Sequence, residues 1–266
     1  MHFLQVMGNL RTTRFFQAWR PVERAKIQKM LEAARLASRA MNVAFAKAVV
    51  TYREWLTPQE RDALKTPMAS VEFDLAPVYI FWFYDTDAGR RAVEERPWPT
   101  VPSGAIVDVG ALPPTHGWSS RYVSEVILPQ VLRPLWEMGP RRGGHPDAGM
   151  AMEQALLCAV DEGLGVCLVP FNEEGARRVL RVPDTWEPLQ ALLVGYPAES
   201  AEGAGQIPLG AFEETFFEGN TSTPFRRDPR VVERLRGDGL IQQCPPIPWR
   251  KQELRALARM FGLPQG

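Results

Sequence analysis

Cysteine, histidine and net charge are all scarce in this chain, and each shortage closes off a class of chemistry. Cys158, Cys167 and Cys244 are the only cysteines in 266 residues. An odd number without CxxC spacing offers neither a disulfide framework nor a thiolate zinc site, so the three read as reduced packing residues. His2, His116 and His145 are scattered, with no HExxH and no acidic residue at a ligand spacing, and no bound metal is expected. The 31 Lys and Arg residues equal the 31 Asp and Glu residues. The global positive charge that would favour nucleic acid or an anionic membrane is missing, and a small-molecule partner is expected instead. No apolar run approaches the roughly 20 residues that span a bilayer; the most apolar, 75–84, reads as a buried strand. Residues 1–10 lack a basic start, a long apolar stretch and a small-residue cleavage site, so no secretory signal is expected and the cytoplasm follows. GxSxG, GxxxxGK(S/T) and GxGxxG are absent as well. Hydrolase, P-loop and Rossmann readings lose their support, and a cofactor would have to be held some other way.

What is present is a hydrophobic content of 45%, enough for the core of one large domain over residues 1–266. Pro21 and Glu23 suit a first helical turn, and Ile27, Met30, Leu31, Ala34 and Ala37 then recur at helical spacing. Residues 42–52 partly alternate and predict a strand. Thr57 caps a short helix to residue 64, and 76–84 predicts a strand buried on both faces by helices over a central sheet. Residues 86–146 weaken into a Pro- and Gly-rich excursion or lid around an apolar stretch, 123–136, that Pro129 and Pro134 interrupt. A nearly all-apolar helix over 147–162 stops at Gly163, and a strand over 166–169 follows. Asn172 caps a helix to residue 180, and 189–194 is the next strand. Past residue 200 an extension carries Phe212, Phe216 and Phe217 in an extended segment, then a helix over 229–236. A tail helix puts Leu254, Leu257, Ala258 and Phe261 on one stripe and Arg250, Lys251, Arg255 and Arg259 on a solvated basic face.

Four blocks in order carry a resemblance to a known family. They are Arg11-Thr12-Thr13-Arg14-Phe15-Phe16, Leu31 to Ala37 with Asn42 before a strand, Met152 to Gly165 ending in Gly-Leu-Gly, and Val179 to Asp184 followed by Val194-Gly195-Tyr196-Pro197. Together they resemble the nitroreductase family over roughly residues 10–85 and 147–200. The resemblance implies an α+β fold with a mixed central sheet flanked by helices. It further implies an intertwined homodimer with a C-terminal arm, and FMN in a cleft between subunits so that both build each site.

On that resemblance, Arg11 and Arg14 are implied to grip the FMN phosphate with Thr12 adding a hydroxyl, although two arginines near an N-terminus also read as surface charges. Asn42 is implied near the flavin ring and substrate, against the reading of an ordinary turn asparagine. Pro170, Phe171 and Asn172 are implied to pass over the ring, offering backbone N–H groups and an aromatic wall, while Asn172 also serves as a helix cap. Arg39 and Ala44 stand where the family often has Ser and Gln, and Gln206-Ile207-Pro208 stands where Arg before Pro is common. Arg226 and Arg227 are the reserve phosphate candidates. Arg39 and the excursion tryptophans Trp98, Trp118 and Trp136 would shape substrate choice, or the tryptophans simply pack. No acid–base dyad is expected, because the flavin carries the chemistry. NADH or NADPH would reduce it, and a nitroaromatic, quinone or similar planar acceptor would reoxidise it by a ping-pong mechanism. A flavin-dependent dehydrogenase or dehalogenase, or a degenerate flavin-binding protein, are the alternatives.

Overall fold

The computed structural model describes residues 1–39, 43–94, 123–132, 134, 145–202, 205–208, 210–244 and 247–263. Its centre is β2, Val78–Asp85, whose residues are all buried. The strand sits inside a four-stranded sheet of order β1-β2-β4-β3, with β1 Ala46–Tyr52, β3 Gly165–Val169 and β4 Trp186–Gly195. All three pairings are antiparallel. The parallel component is one bridge, Thr12 to Val166, where the N-terminal segment joins the β3 edge; Phe16 then bridges Pro197 antiparallel.

Alternation along β2 divides the core in two. Val78, Ile80 and Trp82 face α2 (Arg24–Arg35) and the long helix α6 (His145–Asp161). Tyr79, Phe81 and Phe83 face Leu64 of α3 (Pro58–Leu64), Phe73 of α4 (Ser70–Leu75) and Ala176 of α7 (Glu173–Leu180). Each fully buried ring of this kind stabilises the fold by about 1.5–3 kcal/mol. The Tyr79 hydroxyl is satisfied by the Phe73 carbonyl at 2.5 Å. Burial therefore pushes its pKa up, since an ionised phenolate would lose water without gaining a partner cation in contact.

Local signals explain where these helices begin and end. The Thr57 hydroxyl accepts from Glu60 N–H at 3.2 Å while the Glu60 carboxylate accepts from Thr57 N–H at 2.8 Å, a reciprocal cap on α3. Asn172 Oδ1 accepts from Gly175 N–H at 2.8 Å at the start of α7. The chain leaves α6 through Gly163 at φ +73°, a conformation costly to any residue with a Cβ. Among the described residues, no helix is long and apolar enough to cross a membrane.

Several expectations need correction. β1 starts at Ala46, not at 42; ahead of it Val43 and Phe45 pack with Tyr84 and Ala88, and the Phe45 carbonyl accepts from Asp85 N–H at 2.8 Å. Pro129 does not interrupt its stretch: Val123–Leu132 runs through it as a π-helix. The excursion also contains α5, Ala88–Glu94, and Trp98, Trp118 and Trp136 lie outside the described residues. The arm is not extended at Phe212, which opens a short helix, α8 (Phe212–Thr215). Its rings instead gather on themselves, Phe212 lying 4.7 Å from Phe216 and 6.2 Å from Phe225. After α9 (Pro229–Gly237) comes α10 (Arg250–Met260), and there Arg250 is not on a solvated face. Its side chain is 16% exposed and ion-paired to Glu199 and Glu253.

Candidate functional site

The Arg-Thr-Thr-Arg segment lies along the β3 edge, tied by Thr13 N–H donating to Val166 C=O at 2.8 Å. Extended backbone sends successive side chains to opposite sides, and burial follows suit: Thr12 and Arg14 are exposed, Thr13 is buried and Arg11 half-buried. The two arginines consequently have no partner in common. Arg14 reaches toward Glu72 of α4 at 3.8 Å and is 56% exposed. Arg11 turns to the end of α1 (Phe3–Gly8), donating from Nη1 to the carbonyls of Gly8 at 2.6 Å and Leu10 at 2.9 Å. Its Nη2 donates to Gln242 Oε1 at 2.6 Å, and its Nε is buried without a partner among the described residues. Burial lowers the Arg11 pKa, with Cys244 and Glu202 acting in the opposite sense.

The C-terminal extension therefore takes part in this region. Gln242 N–H donates to Gln206 Oε1 at 2.9 Å, and Gln206 Nε2 donates to Leu240 C=O at 2.8 Å, so a chain of amides links Gln206 through Gln242 to Arg11. Gly8 permits the approach: a Cβ there would lie 1.9 Å from the Gly239 carbonyl oxygen. Farther along, the ring of Phe261 stacks on Phe15 at 6.0 Å and Trp19 at 6.4 Å. Between the two ends of α1, the end of α6 and the segment after β4 opens a cleft lined by Arg11, Thr12 and Thr13 but also by Glu199 and Glu202. Arg226 and Arg227 stand elsewhere, exposed on the arm, with Arg227 over the Phe212 ring at 5.3 Å.

The loop after β3 is held firmly. Phe171 packs edge-on against Phe81 at 5.1 Å and Phe83 at 5.7 Å, so part of its ring belongs to the core. Pro170 has no N–H, and Asn172 N–H donates to Leu64 C=O at 3.0 Å. Below the loop, burial pushes the Cys167 thiol up to about 11.

Arg39 is on the far side of the sheet. Together with Ser38 and Ala44 it lines a second cleft at the end of α2 and the start of β1. Asn42 lies outside the described residues. Because β1 and β3 are opposite edges with two strands between them, the two groups of candidates are separated by roughly 14 Å of sheet. One chain does not bring them together.

No protein-family model and no curated protein matches the sequence. Solved structures do match. A protein from Exiguobacterium sibiricum, named as a nitroreductase and solved in complex with FMN, aligns with a TM-score of 0.59 at 15% identity over 79% of this chain and 94% of its own. A nitroreductase family protein from Streptococcus pneumoniae TIGR4 aligns with a TM-score of 0.54 at 21% identity over 77% and 96%. The chain has the nitroreductase-like fold.

Within the nitroreductase-like fold, sequence reasoning missed three residues. Gln242 and Glu199 act through partners 231 and 185 positions away, Arg11 and the Arg14 backbone, and no local pattern announces such pairs. Trp82 was absorbed into an apolar run, yet its indole nitrogen is buried without an acceptor among the described residues. The one available signal was its polar edge inside a strand expected to be covered on both faces.

Proposed function

We propose that the chain is a cytoplasmic, homodimeric FMN-dependent oxidoreductase. It passes two electrons from NADH or NADPH to a planar acceptor such as a nitroarene or quinone, donor and acceptor occupying one cleft in turn. The observation that carries this reading is the exposed Thr12 and Arg14 pair on a strand beside the loop 170–172, within a fold also found in an FMN-bound protein.

The residues present fit a flavin phosphate. Arg14 is largely exposed and only loosely paired, Thr12 offers an exposed hydroxyl, and Arg11 keeps an unpartnered Nε. In this reading Arg14 and Thr12 hold the phosphate through charge-assisted bonds, and Arg11 steadies their strand from the other side. Bound FMN would supply the two-electron chemistry. Phe171 forms the wall at the ring, with its N–H as the loop's donor, because Asn172 N–H already serves Leu64. Pro170 and Asn172 fix that loop, Asn42 is assigned a place at the ring edge, and Arg39 contacts the acceptor. Placement of Arg39 and Ala44 on the opposite sheet edge from Arg14 favours a two-fold arrangement, in which a second copy completes each site.

One observation favours a degenerate flavin-binding protein instead: Gln242 occupies the Arg11 fork. Purification decides between them. A yellow protein whose FMN absorbance bleaches anaerobically on adding NADH or NADPH, and returns on adding a quinone, is expected. A colourless protein that fails to take up FMN would overturn the reading, and one that binds FMN without being reduced would leave the degenerate alternative.

A further inference from the structure

The outer face of α10 carries a row of cations with no carboxylate of the helix beside it. Lys251, Arg255 and Arg259 follow one another at four-residue intervals, so they stand on one ridge about 6 Å apart along the axis. All three are exposed, and no side chain of the three has an ion pair or hydrogen bond among the described residues. The one acidic residue of the helix, Glu253, turns the other way, accepting from Ser200 N–H at 2.7 Å and from Arg250 Nη1 at 2.7 Å. A chain that is neutral as a whole therefore gathers three unopposed positive charges on this ridge.

Apolar side chains bracket the row. Trp249, just before the helix, and Met260, its last residue, are both exposed, and beyond its end the exposed Trp19 stacks at 6.4 Å on Phe261. The inner face is firmly seated: Leu257 is buried, Arg250 is ion-paired to the buried Glu199, and Phe261 stacks on Phe15 at 6.0 Å. The cations are thus presented on a fixed support, and binding through them does not have to order the helix. Lys and Arg are drawn to anionic headgroups, and tryptophan favours the boundary between headgroup and hydrocarbon. An acidic peptide or a nucleic-acid backbone would meet the charges alone.

We propose that the outer face of α10 docks the protein on a lipid surface rich in anionic headgroups, with Lys251, Arg255 and Arg259 against the headgroups and Trp249 and Trp19 at their level. The contact is peripheral, since no helix among the described residues is long and apolar enough to cross a membrane. It uses neither a flavin nor either cleft, so it goes beyond the redox reading and is tested separately from it.

The test is co-sedimentation of the purified full chain with sucrose-loaded phosphatidylcholine vesicles, with and without about one third phosphatidylserine. At low salt the protein should partition about a hundredfold more strongly onto the anionic vesicles, and roughly 1 M salt should abolish the preference. The triple variant Lys251→Gln, Arg255→Gln, Arg259→Gln should lose it while keeping the parent's unfolding midpoint, because the three side chains are exposed. The proposal is overturned if both kinds of vesicle bind equally, or if the triple variant keeps the preference. It is also overturned if polyglutamate or duplex DNA, at equal anionic charge, releases the bound protein as well as added phosphatidylserine vesicles do, which would make the face a general polyanion site. The first and last of these outcomes are read on the unaltered protein, so they stand even where a variant does not fold.

Discussion

Glu199 holds Arg14 by its backbone, accepting from the Arg14 N–H at 2.5 Å and from the Phe15 N–H at 3.0 Å through the same carboxylate oxygen. The other oxygen is paired with Arg250, which also donates to Glu253 at 2.7 Å. The Glu199 side chain is 4% exposed. A single buried carboxylate thus joins the N-terminal strand to the C-terminal helix α10. Replacing it with Ala strands both the amides and Arg250, and unfolding in urea should show a loss of about 3 kcal/mol, the low end for a broken buried pair because Arg250 keeps Glu253. The double variant Glu199→Ala with Arg250→Ala should lose clearly less than the two single losses added. Strict additivity would mean the two groups are not coupled.

Gly8 lets α1 press on the tail, and a Cβ there would lie 1.9 Å from the Gly239 carbonyl oxygen. Gly8→Ala is expected to cost about 1–3 kcal/mol as overpacking and to lift Gln242 off Arg11. Limited proteolysis should cut the chain after residue 237 faster than in the parent protein. An unchanged cleavage rate would show that the tail is not seated through this contact.

Arg11 and Arg14 are expected to differ when tested singly. Arg14→Ala should weaken FMN about tenfold with an unchanged unfolding midpoint, because its guanidinium is mostly exposed. Arg11→Ala should also lower stability, since its fork satisfies Gly8, Leu10 and Gln242. The double variant should weaken FMN by about the same tenfold as Arg14→Ala in a fluorescence-quenching titration, because Arg11 acts on the strand and not on the phosphate. Affinity within threefold of the parent would remove both from the site.

The exposed Phe216, Phe217 and Phe225 of the arm, and the separation of Arg39 from Arg14 by the width of the sheet, lead to the expectation of a dimer. Its interface should bury more than roughly 2,000 Å². Light scattering at micromolar concentration should return twice the chain mass of 29.9 kDa. A stable monomer that binds FMN would contradict the shared site.

Thiol titration should separate the cysteines. Cys244 is exposed, whereas burial pushes the Cys167 thiol up to about 11. At pH 8 the Ellman reagent should modify Cys244 quickly and Cys167 only on unfolding. The raised value also carries a linkage: the neutral thiol is favoured in the folded state, so its contribution is intact below the ordinary value of 9.0 and is lost as pH rises to about 11. Cys167→Ala should flatten the fall in stability over that window. A fall as steep as in the parent would assign it to other groups.

Much of the fold was legible because it rests on short-range regularities. Ile27, Met30 and Ala34 repeat at helical spacing and all three are buried in α2. Thr57 and Asn172 cap the helices they were expected to cap, and the unbroken apolar run of β2 lies between two layers of helix. Boundaries were less legible where the chain packs inward ahead of a strand, as at Val43 and Phe45, since burial there leaves the same apolar pattern as the strand itself.

Sequence by itself determined the helices and strands, through periodicity and capping that act over a few residues, and its four ordered blocks resemble the family whose fold the chain has. It also determined that residues 170–172 join a strand to a capped helix, whereas the tertiary structure alone laid residues 11–14 along that strand. Only the tertiary structure decided that Arg11 and Arg14 serve different partners, since that depends on which side of an edge strand each one leaves. Likewise only the packed structure revealed Gln242 on Arg11, Glu199 beneath Arg14 and the unsatisfied indole of Trp82. Contacts between residues about 200 positions apart depend on how layers are stacked, and a hydrogen bond left unmade is visible only when every neighbour is in place.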